Sequence, residues 1–224
     1  QAGGDVMQLP LLGIAPPARP VAADALRQQL SHANTVIFIS PNAVRMALQC
    51  LPAHAWPSAP QLVAIGQGTA RALQAAGFAQ ILAPVAGADS EALLALPEFK
   101  QLAGQHILLV RGEGGRELLA QTLTERGALV DHAVVYRRVA MPPSLAELRE
   151  HGHLLFIVTS SAALRVLLDA AQHADDLAWL GAQDFVFAHP RIAEQAKTSG
   201  LNRGMIAPSP EDDAVFAALL HYAK

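Results

Sequence analysis

Short β-branched apolar runs recur along this chain with helical stretches between them, the pattern of a parallel sheet covered by helices on both faces. Strands are expected near Val6–Leu12, Val36–Ile39, Leu62–Ile65, Gln80–Leu82, His106–Val110, Leu129–Val135, Leu154–Val158, Asp184–Phe187 and Gly204–Ala207, with helices in the intervals. Ser40-Pro41 supplies a cap oxygen and a proline at the first helical position, where a missing N–H costs nothing. Ser209-Pro210 does the same before Glu211–Tyr222, and Asp89 or Ser90 can open a helix over Glu91–Leu96. The spacing of Leu118, Leu119, Thr122 and Leu123 predicts a one-faced helix that stops at Gly127.

The pattern also repeats about half a chain apart. Val36-Ile37-Phe38-Ile39-Ser40, Ala64-Ile65-Gly66, Gly77-Phe78 and Ile81-Leu82-Ala83-Pro84 are matched in order by Phe156-Ile157-Val158-Thr159-Ser160, Phe187-Ala188-His189, Gly200-Leu201 and Met205-Ile206-Ala207-Pro208. Two similar α/β lobes follow. Proline-rich passages after a strand, at Ile14–Pro20 and at Arg137–Pro143, mark two crossings between them. One lobe is therefore discontinuous, built from residues 1–14 and 139–224, and the other is an insertion over 15–138. The chain opens on Gly3-Gly4-Asp5, which reads as a helix end before a strand, so the first strand and helix of the repeat are expected upstream.

At 224 residues the chain can fill two small cores. A net charge of −3 offers no basic footprint for nucleic acid. The single cysteine, Cys50, allows no internal disulfide and suits a buried helix face. No apolar run is long enough to span a bilayer, so the protein is expected to be cytoplasmic, and a monomer. The histidines are scattered apart from His151 and His153 and, with no cysteine pair, give no metal site.

The candidate chemistry lies at strand-to-helix junctions: Ser40-Pro41-Asn42, Gly66-Gln67-Gly68-Thr69, Arg111-Gly112-Glu113-Gly114-Gly115 and Thr159-Ser160-Ser161. Each would aim a helix N-terminus out of the carboxyl edge of a parallel sheet, where free N–H groups favour an anionic ligand. The glycine runs complete neither a dinucleotide fingerprint nor a phosphate-gripping loop, and Ser40 lacks the Gly-x-Ser-x-Gly elbow of a hydrolase. Ser40, Thr69 and Ser160 read as helix caps whatever else they do. Tyr136 ends a strand beside Arg137-Arg138; it either faces a cleft between the lobes or is an ordinary edge tyrosine. Arg111 and Arg116 either grip carboxylates or are solvated.

Taken in order, Phe38-Ile39-Ser40-Pro41-Asn42-Ala43-Val44, Ala64-Ile65-Gly66-Gln67-Gly68-Thr69-Ala70, Leu108-Leu109-Val110-Arg111-Gly112 and Val135-Tyr136-Arg137-Arg138 resemble the uroporphyrinogen-III synthase family. The resemblance implies two α/β lobes, each a parallel sheet flanked by helices, joined by a two-stranded linker, with a cleft that takes linear hydroxymethylbilane. It implies ring closure with inversion of the last pyrrole and loss of water, without metal or cofactor. Ser40, Thr69, Tyr136 and Ser160 fall on the family's recurrent cleft positions, and Tyr136 is the candidate to assist departure of the hydroxyl. Pro190 and Arg191 stand where the family often has Gly-Pro-Thr-Thr-Ala, this chain reading His189-Pro190-Arg191-Ile192-Ala193, so a threonine hydroxyl is replaced at Ile192. The alternative from another class is a two-lobed protein that binds an anionic small molecule without chemistry.

Overall fold

The computed structural model describes residues 5–114, 117–208 and 212–222. The chain divides into two compact units, one of Gln1–Gly13 with Val139–Lys224 and one of Ile14–Arg138. The division falls inside two neighbouring strands, β1 (Leu12–Ala15) and the long β5 (Leu129–Ala140).

The inserted unit is built on β2 (Thr35–Phe38), β3 (Gln61–Ala64) and β4 (His106–Gly112), in the sheet order β1-β5-β4-β2-β3. The β2–β3, β2–β4 and β4–β5 pairs are all parallel. Strand alternation sends Val36, Phe38, Leu108 and Val110 to one face and Ile37, Ile107 and Leu109 to the other. The first face is covered by α1 (Ala23–His32), α2 (Pro41–Cys50) and α3 (Gln67–Ala75), through Leu26, Leu30, Val44, Ala47 and Leu73. The second face is covered by α4 (Ser90–Ala95) and α5 (Leu118–Glu125), through Leu93, Leu94, Leu119 and Leu123. Burial on both faces is why β4 reads as an almost unbroken apolar run.

The other unit holds β6 (Leu155–Val158), β7 (Asp184–Phe187) and β8 (Gly204–Ile206), parallel in that order. On one face Phe185 and Phe187 stack and pack with α6 (Leu145–Glu150), α7 (Ser161–His173), α8 (Leu177–Gly181) and α9 (Pro190–Thr198). On the other face Val186 packs with Val215 and Ala218 of α10 (Asp212–Tyr222). At the amino end of β7 the buried Asp184 carboxylate accepts from Arg203 Nε at 3.0 Å and meets His153 Nε2.

Three expected strands differ. Val6–Leu12 is not a strand; the ladder starts at Leu12, after Pro10, which has no N–H to give, and Val6 is almost fully exposed. Gln80–Leu82 shrinks to one bridge, Leu82 to Val63, because Gln80 takes a left-handed φ of 55° that interrupts the extended backbone. Leu129–Val135 runs on through Tyr136, Arg137 and Arg138 to Ala140. The helices open where expected: Ser40 caps α2, Asp89 caps α4, and α5 is followed by Gly127 at φ 94°. The Ser209-Pro210 cap lies outside the described residues.

Candidate functional site at the carboxyl edges of the sheets

Because β2, β3 and β4 run parallel, the helices that follow β2 and β3 both begin at one edge of the inserted sheet. Ser40 leaves β2 in extended backbone and its Oγ accepts the Ala43 N–H at 3.0 Å, the ordinary Ncap bond. Pro41 and Asn42 form the first turn of α2, where Asn42 Oδ1 accepts from Arg45 at 3.1 Å. At the next junction the Ncap is Gly66, not Thr69. Thr69 sits three residues into α3, buried, with its N–H on the Gly66 carbonyl at 3.1 Å.

The two glycines of that turn do different things. A Cβ on Gly66 would lie 2.6 Å from Ala88 Cβ and 2.8 Å from its Cα, so only glycine lets the 87–88 segment cross there. A Cβ on exposed Gly68 would meet nothing closer than Arg71 at 4.0 Å. Gly68 therefore puts no side chain in front of the first turn of α3.

Tyr136 is neither a solvated nor an edge tyrosine. It is 2 % exposed and belongs to the core under α1–α3. Its position depends on a slip in the ladder: Arg111 faces Val134, but Gly112 faces Tyr136, so Val135 is the extra residue of a bulge. The ring lies against Gly112, where a Cβ would stand 2.6 Å from both Cε2 and Cζ. The backbone is pinned by the Glu113 N–H on the Tyr136 carbonyl at 2.7 Å. The outcome is a hydroxyl 3.1 Å from Ser40 Oγ, which joins β5 to the start of α2.

Arg111, the residue before Gly112 on β4, points to the opposite face and is neither solvated nor unpaired. Its side chain is 8 % exposed and pairs with Glu117 at 3.0 Å and 3.2 Å, and its Nη2 donates to the Gly114 carbonyl at 2.6 Å. Arg116 and Gly115 lie outside the described residues. The sequence reading missed Glu117, and it named Glu113 in the junction without a part of its own; Glu113 Oε1 accepts the Ala18 N–H at 2.5 Å. Their only sequence signal is acids flanking a glycine turn before a helix.

In the other unit the same design recurs. Ser160 caps α7, its Oγ accepting the Ala163 N–H at 3.1 Å, and Ser161 opens the helix with a buried hydroxyl that has no partner among the described residues. At α9 the cap is His189, whose Nδ1 accepts the Arg191 N–H at 3.1 Å, with Pro190 at the first position and Arg191 exposed. Ile192 is buried in the core. Among the described residues no group of three or more His, Cys, Asp or Glu is placed to hold a metal ion, and no helix is long and apolar enough to cross a membrane.

Each unit on its own presents two helix starts whose backbone N–H donors suit acidic groups, and the inserted unit adds one phenolic hydroxyl in a dry setting. Comparison with known proteins gives the family. Residues 1–217 match the family model described as uroporphyrinogen-III synthase HemD. The uroporphyrinogen-III synthase of Salmonella typhimurium is 36% identical over 206 residues, covering 89% of this chain and 83% of that protein. That of Escherichia coli is 33% identical over 217 residues, covering 94% and 88%. Among solved structures, the Helicobacter pylori uroporphyrinogen-III synthetase superposes with a TM-score of 0.63 at 19% identity, covering 96% of this chain and 92% of that one. A Thermus thermophilus mutant uroporphyrinogen III synthase gives 0.55 at 18%, covering 95% and 85%. The two structural likenesses speak to the two-lobed α/β fold alone.

Proposed function

The chain belongs to the uroporphyrinogen-III synthase family, and on that premise we propose how its own residues carry the reaction. The function is that of the family: closing hydroxymethylbilane to the type III macrocycle, with the last ring inverted and one water lost. The substrate carries an acetate and a propionate on every ring. The starts of α2, α3, α7 and α9, at Ser40-Pro41-Asn42, Gly66 to Thr69, Ser160-Ser161 and Pro190-Arg191, are our candidates for holding those carboxylates.

The observation that carries the catalytic assignment is the contact between Tyr136 and Ser40. Ser40 Oγ already accepts the Ala43 N–H, so its own proton is available to donate to the Tyr136 oxygen 3.1 Å away. In that orientation the phenolic proton is free for a third partner, the substrate hydroxyl. Tyr136 gives up that proton as the C–O bond breaks, the bonding pair leaves with oxygen as water, and the pyrrole that bore the hydroxymethyl group is left as an electrophilic azafulvenium cation with its N–H proton in place. The transient phenolate is held by the Ser40 O–H and by the positive end of α2. Attack by the substituted carbon of the last ring gives a spiro intermediate, which reopens and recloses inverted. The proton shed on final rearomatisation returns to the phenolate. The protein's larger task is to hold the chain so that this attack outruns direct closure.

We also read the enzyme as a cytoplasmic monomer that makes no nucleic-acid complex. The single cysteine and the net charge of −3 support this, and one protomer mass by light scattering checks the oligomeric state. The deciding experiment supplies freshly generated hydroxymethylbilane and separates the oxidised uroporphyrin isomers. Predominant type III supports the reading. Type I alone, the spontaneous product, rejects it and favours a binding protein.

A further inference from the structure

On the α4 and α5 side of the inserted sheet, the face opposite the core that holds Tyr136, lies a cavity of about 430 Å³. That is within the range of small-molecule sites, about 300–1,000 Å³. Its walls mix apolar side chains, Ile39, Ile65, Leu109 and Leu119, with the polar groups of Asp89, Ser90 and Arg111, and Arg111 is the one cation among the described residues that line it. The acid in the wall, Asp89, already accepts the Ala92 N–H at 2.8 Å as the α4 cap.

The two members of the Arg111–Glu117 pair are unequally buried. The Arg111 side chain is 8 % exposed, whereas that of Glu117 is 53 % exposed. A guanidinium so buried cannot follow its partner into water, and leaving it unpaired is costly. The glutamate can rotate out and be hydrated at little cost. An incoming carboxylate would replace one charge-assisted pair with another, while the bond from Arg111 to the Gly114 carbonyl stays in place. A cavity with one apolar wall, a captive guanidinium and an exchangeable acid is suited to a flat ring bearing a carboxylate arm.

We propose that this cavity is a subsite for one acid-bearing pyrrole ring of the substrate, with Arg111 exchanging Glu117 for that ring's carboxylate. The proposal rests on the activity given above, since it takes the ring chemistry from that substrate. It adds a site on the second face of the sheet, away from the Ser40–Tyr136 contact, and gives Glu117 the part of an internal competitor.

The test titrates the isotope-labelled full chain with a monopyrrole carrying one acetate and one propionate arm and no leaving group, followed by backbone amide NMR. Saturable shifts are expected at Leu109, Arg111, Ser90 and Leu119. Arg111→Gln weakens binding by about tenfold or more, the loss of a hydrogen-bonded charge pair. Ala120→Leu, which fills the cavity from α5 and leaves the charges alone, weakens it independently. Glu117→Gln tightens binding about threefold or more by removing the competitor, an outcome that a purely structural ion pair would not give. No saturable shift at these amides, or weaker binding in Glu117→Gln, overturns the subsite. Isomer analysis on the same preparation separates the two ideas. Type III product without cavity shifts removes only the subsite, and cavity shifts with type I product alone keep the subsite and reject the activity.

Discussion

The hydroxyls of Ser40 and Tyr136 lie 3.1 Å apart although 96 residues separate them in the chain. The contact ties β5 to the cap of α2, so one serine oxygen both caps a helix and orients a phenol.

Tyr136→Phe keeps the buried ring and removes only the oxygen, so the fold should persist. Type III formation should fall about ten- to hundredfold, at or below the low end for general acids because the azafulvenium cation forms readily. Ser40→Ala should cost about 1 kcal/mol of stability through the lost cap as well as turnover. If the hydroxyls act as a unit, the double variant is no slower than the worse single one. Melting curves with isomer-resolved kinetics check both effects, and full rate in Tyr136→Phe would remove the phenol from the mechanism.

Gly112→Ala places a methyl group 2.6 Å from the Tyr136 ring, closer than any real carbon contact. The ring must shift, and the bulge that aims it leaves little room. A loss of about 1–3 kcal/mol is expected, with a fall in turnover approaching that of Tyr136→Phe. Gly68→Ala, which meets only open space, is the matched control and should leave the melting temperature close to that of the parent.

Much of this was legible in the sequence because strong local signals agreed. Ser-Pro after an apolar run places both the end of β2 and the start of α2, and the continuous apolar stretch Ile107–Val110 reads as a strand buried on both faces. Contacts between distant residues were not legible. Nothing local reveals that Val135 is the extra residue of a bulge, and that single slip decides where the Tyr136 hydroxyl goes. Thr69 was misplaced as a cap because a glycine three residues earlier can start a helix without any side-chain oxygen. The sequence leaves Arg111 either gripping ligand carboxylates or solvated, because its partner lies across a glycine turn whose path depends on tertiary packing.

Ile192 is 3 % exposed within the core of the discontinuous unit. Ile192→Thr restores the family's residue type but puts a hydroxyl among Leu164, Phe187 and Leu201 side chains of that core. A loss of about 1–3 kcal/mol is expected, with no gain in type III turnover, since the first-turn N–H groups of α9 are present either way. Faster turnover in this variant would mean that the missing hydroxyl matters to the substrate.

Cys50 Sγ donates to the Val21 carbonyl at 3.2 Å, and burial pushes its thiol pKa up. Burial disfavours the thiolate, so less of the reactive form exists at neutral pH than for a free cysteine. Alkylation by iodoacetamide should be slower at pH 7 than that of a small thiol, and its rise with pH should be displaced to higher pH. The same shift has a consequence for stability. A folded pKa above the unfolded one means the folded state holds the proton more tightly. That contribution is complete below the unfolded pKa and is lost as the pH climbs through the folded one. Cys50→Ser removes this part of the dependence, so the alkaline decline in melting temperature should be shallower in Cys50→Ser than in the parent. Equal slopes in the two proteins, or alkylation as fast as that of a small thiol at pH 7, would show that Cys50 stays hydrated in the folded chain.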